Sequence, residues 1–236
     1  MPDRSLIVRG AFVFGTTLAI GVLTEIIYQG LTWWRTRRKV KNRFSKVLFF
    51  PDKEVACKAH FQTREGCSHV NCRYSHKDTS LSELYKHLGR AERSLDVCVF
   101  VICCQDLADI LIQLHKKGKV VRIITDDEQI EMTGSQIWRF RKEGINVRTD
   151  HSSFFMHHKF VIVDKKILIN GSFNWTRNAI TGNQENLLIT NNPDFVGAYQ
   201  KEFEKLWKEF DPRNFNNSDL HRRKPQQPNS SPATWD

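Results

Sequence analysis

Cysteine, proline and glycine are all scarce in this chain of 236 residues, with six Cys, seven Pro and 12 Gly. So few Pro and Gly exclude a collagen-like or linker-dominated chain. Six Cys over this length exclude a disulfide-stapled miniprotein and fit a reducing compartment. Acidic residues are also in deficit. Asp plus Glu number 26 against 36 Lys plus Arg, a formal charge of +10. An excess of that sign draws a protein to polyanions: nucleic acid, anionic lipid or both. What remains is apolar enough to fold, with 40% hydrophobic residues and 16 Phe, which excludes wholesale disorder. The length suits one catalytic domain with small appendages.

Charge is absent from Gly10 to Thr24. With Leu6–Val8 and Ile26–Tyr28 included, this stretch reaches the roughly 20 residues of a membrane span. Trp33 and Trp34 suit an interfacial belt. A run of Arg35, Arg37, Arg38, Lys39, Lys41, Arg43 and Lys46 follows without an acid. A cleaved signal would need a small-residue cleavage site before that run, and there is none. A buried amphipathic helix is the other alternative. A single anchor fits best, and its basic C-terminal flank places the rest of the chain in the cytosol. Modest hydrophobicity between basic flanks resembles signal anchors of the mitochondrial outer membrane. The expected organisation is an anchor over 1–34, a basic linker over 35–56, a metal-binding segment over 57–78, an α/β domain over 79–211 and a disordered tail over 212–236. The tail carries a basic knot, Arg222 to Lys224.

Cys57, Cys67, Cys72 and His76 have the spacing C-x9-C-x4-C-x3-H. Three thiolates and an imidazole can close a tetrahedral shell around Zn²⁺, and metal would supply most of the order in so short a loop. His60 and His69 are substitute candidates for the fourth ligand. The pattern resembles a CCCH zinc finger, a class that often binds single-stranded RNA. Phe61, Arg64, Arg73 and Tyr74 are the residues here suited to stack on RNA or neutralise it. The plainer reading is a structural clip.

From Thr79 to Phe210, strand and helix patterns alternate. Leu95–Ile102, Val120–Thr125 and Ile145–Arg148 read as strands. Ser80–Leu88, Asp106–Lys117, Gly134–Glu143 and Pro193–Phe210 read as helices. Phe160–Val163 and Ile167–Ile169 read as strands joined by a short turn, with Leu187–Thr190 a further strand. The prediction is an α/β fold, a sheet with helical crossovers. Cys98, Cys103 and Cys104 fall in or beside an apolar run and read as reduced core residues.

The chemistry concentrates in Met156–Asp164 and Gly171–Asn174. Strand alternation puts His157 and Lys159 on one face and His158 on the other. An imidazole beside an ammonium, near a Gly-Ser-x-Asn turn, can hold and attack a phosphate: Lys159 as point charge, Asn174 as amide donor, His157 as nucleophile. Glu185 is a candidate to hold the other imidazole nitrogen. Taken singly, each of these residues is more often a plain surface group.

Together they form His157-x-Lys159-x4-Asp164-x6-Gly171-Ser172-x-Asn174, the HKD signature of the phospholipase D superfamily. The stretch from about 79 to 210 resembles one HKD domain, a mixed sheet flanked by helices. With the anchor and the finger, the chain resembles the mitochondrial branch of that superfamily. The resemblance implies that His157 forms a phosphohistidine intermediate. It implies that Lys159, Ser172 and Asn174 bind the phosphate, that Asp164 orients the motif and that Glu185 hydrogen-bonds His157. No metal is implied at this centre; Zn²⁺ would be structural, in the finger. Superfamily sites use two HKD motifs, and this chain holds one, so the resemblance implies a homodimer with both His157 side chains at its centre. Two substrates are consistent with it. One is single-stranded RNA, cut to leave 5′-phosphates in the formation of Piwi-interacting RNA. The other is the anionic phospholipid cardiolipin, hydrolysed to phosphatidic acid. A membrane-tethered RNA-binding scaffold is the reading from a different class.

Overall fold

The computed structural model describes residues 20–34, 37, 43–63 and 65–215. The chain divides into two compact units, residues 1–44 and 45–236. In the first, residues 20–34 form helix α1, and the Arg37 guanidinium lies 4.3 Å from the Trp33 ring centre. Among the described residues no helix is long and apolar enough to cross a membrane. Most of the expected span, residues 6–19, lies outside them, as do Arg64 and the tail beyond Phe215.

The second unit is built on a seven-stranded sheet, in the order β1-β7-β6-β5-β2-β3-β4. Its strands are β1 (Ser45–Phe50), β2 (Ser94–Val99), β3 (Val120–Thr125), β4 (Asn146–Thr149), β5 (Lys159–Val163), β6 (Ile167–Gly171) and β7 (Glu185–Thr190). Strands β2, β3 and β4 run parallel, and β2-β5-β6-β7-β1 are joined antiparallel, so the sheet is mixed. The helices are α2 (Lys58–Gln62), α3 (Ser80–Gly89), α4 (Gln105–Lys116), α5 (Ile137–Lys142), α6 (Arg177–Thr181) and α7 (Pro193–Glu209).

Strand alternation divides the interior into two layers. Leu95, Val97, Val121, Ile123, Val161, Ile169 and Ile189 point into a core shared with α3, α4, α5 and α6. Cys98, Ile124, Phe160, Ile162 and Leu168 point to the opposite layer, closed by Val196, Phe203 and Leu206 of α7. Asp96 is the exception on that face, 1% exposed. It is neutralised by the Arg122 guanidinium at 2.7 and 2.9 Å and accepts a hydrogen bond from the Gln200 amide at 2.9 Å. A buried carboxylate is tolerated when paired in this way.

Three elements depart from the expected organisation. Residues 45–50, expected within a basic linker, form edge strand β1. Leu48 and Phe50 face the core and Val47 and Phe49 face out, an alternation that the neighbouring Arg and Lys obscured. Residues 57–78, expected as a separate metal-binding segment, belong to the same compact unit as the sheet. Lys58 of α2 pairs with Asp106 and Asp109 of α4 at 2.9 and 2.5 Å, and Asp109 also accepts from Arg139 of α5. Helix α6 is the third. It is one short turn-and-a-half capped by Thr176, whose side chain accepts from Ala179 N–H, and too short for its periodicity to register.

Candidate active site

β5 is antiparallel to β2, so Lys159 at its start stands opposite Val99 at the end of β2. The pairing continues one residue upstream, where Phe100 N–H donates to His158 C=O at 2.9 Å. That extended backbone turns His157 and Lys159 to one face. Lys159 Nζ lies 3.2 and 3.3 Å from the two ring nitrogens of His157 and donates to its carbonyl at 2.8 Å. Phe100 forms the wall behind them: its ring centre is 4.7 Å from that of His157 and 5.4 Å from Lys159 Nζ. Phe155 packs against the same wall at 5.5 Å. His158 turns to the other face, against Phe160.

Partial burial, followed by the charge of Lys159, lowers the His157 pKa, while Asp126 opposes the shift. Burial also lowers the Lys159 pKa, against the attraction of Glu185. The lowered pKa keeps the His157 imidazole neutral at neutral pH.

Gly171–Asn174 follows β6. A side chain at Gly171 would stand 2.0 Å from the Asn186 carbonyl, so only glycine lets β6 close on β7 here. Ser172 donates its hydroxyl to Glu185 and accepts from Asn186 N–H at 3.1 Å. Phe173 is buried against Phe50, with ring centres 4.4 Å apart. Trp175 ties the turn to the end of β2: its N–H donates to Val101, and its carbonyl accepts from Cys103 and Cys104 N–H at 2.8 and 2.7 Å. Asn174 Oδ1 is buried without a hydrogen-bond partner.

His157, Lys159, Ser172, Asn174 and Glu185 thus share the end of the sheet where β2 and β6 finish and β5 and β7 begin. Glu185 does not take the expected place on His157 within one chain. Its carboxylate is held by Ser172 and by Asn183 Nδ2 at 3.1 Å, because β6 lies between β7 and β5 and presents Ser172 first. Asp164 stands at the far end of β5, about 16 Å from Lys159 at 3.3 Å per strand residue. There it accepts from the backbone N–H groups of Glu92, Arg93 and Ser94 at 2.9, 2.7 and 2.9 Å. These hydrogen bonds, acting against burial, lower its pKa. Asp164 and Lys165 adopt φ of 55° and 56°, the left-handed turn that reverses the chain into β6.

Two participants escaped sequence reasoning. Asn183 grips Glu185, and its only signal was a short amide two residues away. Asp126 is fully buried and accepts from Met156 N–H at 3.0 Å, fixing the residue before His157. Its signal was a carboxylate directly after a strand.

The Cys57, Cys67, Cys72 and His76 donor atoms all lie within 4.8 Å of one another. They are close enough to hold a metal. Two thiolates on a tetrahedral Zn²⁺ stand roughly 3.8 Å apart; Cys57 and Cys72 Sγ are 3.7 Å apart. His60 stacks on His76, with ring centres 4.4 Å apart and planes 5° apart, and is not part of the cluster. Cys98, Cys103 and Cys104 are unbridged, with Cys98 fully buried.

A family model described as "Cardiolipin synthase, PLD-like domain" matches residues 84–207. The mitochondrial cardiolipin hydrolase of Chlamydomonas reinhardtii is 46% identical over 171 residues, 72% of this chain and 76% of that one. The human protein of the same name is 38% identical over 216 residues, 88% and 82% of the two chains. The phospholipase D family member Nuc from Salmonella typhimurium shares the fold, with a TM-score of 0.54 at 22% identity over 71% of this chain and 95% of that one. Identity at this level over most of both chains goes beyond a shared fold: the chain belongs to the mitochondrial cardiolipin hydrolase family of phospholipase D-like phosphodiester hydrolases.

Proposed function

We propose that His157 is the nucleophile of a phosphodiesterase whose site is completed by a second copy of the chain. The observation that carries this is the contact of Lys159 Nζ with both His157 ring nitrogens at an exposed sheet end. The neutral imidazole attacks phosphorus and the P–O bond to the leaving group breaks, giving a phosphohistidine. Lys159 and the Asn174 amide neutralise and orient the phosphate oxygens. Ser172, Glu185 and Asn183 hold the wall of that pocket. The His157 of the second copy protonates the leaving oxygen, then takes a proton from the water that hydrolyses the phosphohistidine. Asp164 acts at a distance, by fixing the β5–β6 turn. Zn²⁺ held by Cys57, Cys67, Cys72 and His76 would cross-link residues 57–76 and takes no part in the chemistry.

Single-stranded RNA is the substrate the surroundings favour, with cleavage leaving 5′-phosphates in Piwi-interacting RNA formation. A cavity of about 580 Å³ is lined by Lys53, Arg73, Tyr74 and Arg177, with Glu54 the one acid among its lining residues, and Arg177 follows Asn174 by three residues. Cations flanking an exposed ring suit a nucleic-acid strand. Cardiolipin is the second reading. The relatives' name favours it, as do Phe154, 82% exposed, and Phe155 beside the Phe100 wall, which suit an acyl surface. The relatives' name and the basic run also support attachment to the mitochondrial outer membrane, with the catalytic unit facing the cytosol.

The test offers the full chain labelled single-stranded RNA and, separately, cardiolipin liposomes. His157→Asn should abolish turnover of either with an unchanged thermal midpoint. Arg73→Ala with Arg177→Ala should weaken RNA cleavage about tenfold or more, as for two lost phosphate contacts, and spare lipid turnover. Wild-type-like turnover by His157→Asn would reject the mechanism.

A further inference from the structure

Strands β2, β3 and β4 run parallel, and all three finish at the end of the sheet where Lys159 stands opposite Val99. Each leads into a residue that bears on the nucleophile. β2 continues into Phe100, the wall behind His157. β3 continues into Asp126, 0% exposed, and β4 into Asp150, 1% exposed. The three ends are tied together. Thr125 donates its hydroxyl to Phe100 C=O at 2.9 Å, and Asp127 N–H donates to the Asp150 carboxylate at 3.2 Å.

Asp126 divides its carboxylate between two backbone donors. Oδ1 accepts from Glu128 N–H at 3.1 Å, capping the short 3-10 turn Asp127–Gln129, and Oδ2 accepts from Met156 N–H at 3.0 Å. On the other side of the nucleophile, His158 C=O accepts from Phe100 N–H at 2.9 Å. The His157 backbone is therefore held through both of its neighbours. Met156 is fixed by its side chain as well, buried in the α7 layer with Sδ 3.4 Å from Cys98 Sγ. A cap and one satisfied N–H are the plain account of Asp126, and Asn or Ser would serve for both. Neither would bring a charge. A buried carboxylate is costly where a neutral acceptor would do, and the His157 ring is where its charge acts.

Burial and Lys159 of β5 both oppose a positive charge on that ring, and Asp126 favours one. His158 is next in sequence but turns to the other face, against Phe160. Glu185 acts on Lys159, with its carboxylate held by Ser172 and Asn183. Asp126, Asp127 and Asp150 each bring a carboxylate oxygen within 4.8 Å of the others, so the negative side of the ring is reinforced. The proposed chemistry needs that side. Positive charge grows on the attacking imidazole as its N–P bond forms. The imidazole of the second copy carries one until its proton passes to the leaving oxygen. A fixed negative charge favours both states.

We propose that Asp126 is a positioning residue of the catalytic centre: it clamps the backbone before His157 and sets a buried negative charge beside the ring in both of its roles. This rests on the reading of His157 as nucleophile in a two-fold site. Asp126 is fully buried, so it acts through His157 and not on the substrate.

The test compares the full chain with Asp126→Asn and Asp126→Ser, two variants that keep an acceptor and lose the charge. Thermal unfolding establishes that each is folded. Loss of the negative charge disfavours imidazolium, so the NMR titration midpoint of His157 should fall in both. The pH–rate profile should move with it to lower pH. At neutral pH kcat should fall about tenfold or more while KM changes less than about twofold, as for a displaced reacting group. Asp127→Asn leaves the Met156 hydrogen bond in place and should keep the His157 midpoint closer to that of the parent. A merely structural role would lower the thermal midpoint of the Asp126 variants and leave the His157 midpoint and the pH profile where they are; that result would overturn the proposal. A loss confined to KM would overturn it too. Turnover by His157→Asn would strike the nucleophile assignment instead, and the His157 midpoint, read without substrate, would still decide whether Asp126 acts on the ring.

Discussion

Asp164 and His157 belong to one motif but stand at opposite ends of β5, and each answers to its own surroundings. Asp164 binds three backbone N–H groups that begin β2. Asp164→Asn keeps the size but loses the charge and one acceptor, and should lower stability by about 1.5–3 kcal/mol, the range for hydrogen bonds to a charged group. The sign of its pH dependence follows from the lowered pKa. The stabilisation is complete above the unfolded carboxylate pKa and is lost as pH falls through the lower folded value. Denaturant unfolding of the two proteins should therefore differ most near neutrality and converge in acid. For His157 the shift is also downward, so its imidazole stays neutral to a lower pH than an ordinary one. The acid limb of kcat/KM should lie below the ordinary imidazole value of about 6.5. In Lys159→Met, one cause of the shift is gone, and the NMR titration midpoint of His157 should rise.

Among the elements, those with long periods were legible and those defined by tertiary partners were not. The residues of α3, α4 and α7 repeat their apolar positions over nearly three turns or more, and β2, β3 and β5 are apolar runs bounded by turns. β1 is short, and its inward residues become meaningful only beside β7. The grip of Glu185 on Ser172 was hidden for the same reason, since it depends on β6 lying between β7 and β5. Spacing did reveal the Cys57, Cys67, Cys72 and His76 cluster, because ligands that converge on one ion must recur at short intervals. Residues 53–79 contribute few buried apolar side chains, with Ala56 and Cys57 the buried ones. One metal ion per chain should therefore be found by elemental analysis. Chelation or Cys72→Ser should make the segment between Cys57 and His76 susceptible to protease. Lys58 and its partners Asp106 and Asp109 should transmit that loosening to the start of α4, seen as faster amide exchange there.

For the whole molecule, the decisive quantity is how many imidazoles one turnover requires. The chain carries one H-x-K-x4-D motif, His157-x-Lys159-x4-Asp164, and within one chain the partner of the His157 ring nitrogens is Lys159. Lys159 cannot serve as the leaving-group acid without giving up the charge that holds the phosphate. A monomer would need another acid beside His157. Glu185 does not supply one, since Ser172 and Asn183 already occupy its carboxylate. A two-fold site supplies the second imidazole and needs no further residue. The two rings then titrate as a pair, and the pH–rate profile should be bell-shaped. Co-expression of wild type with His157→Asn in varied ratio tests the count directly. If each turnover needs both imidazoles, activity per total chain falls as the square of the wild-type fraction, leaving about a quarter at an equal mixture. If one imidazole suffices, activity falls linearly and about half remains. The linear outcome would return the leaving-group acid to a residue within the single chain.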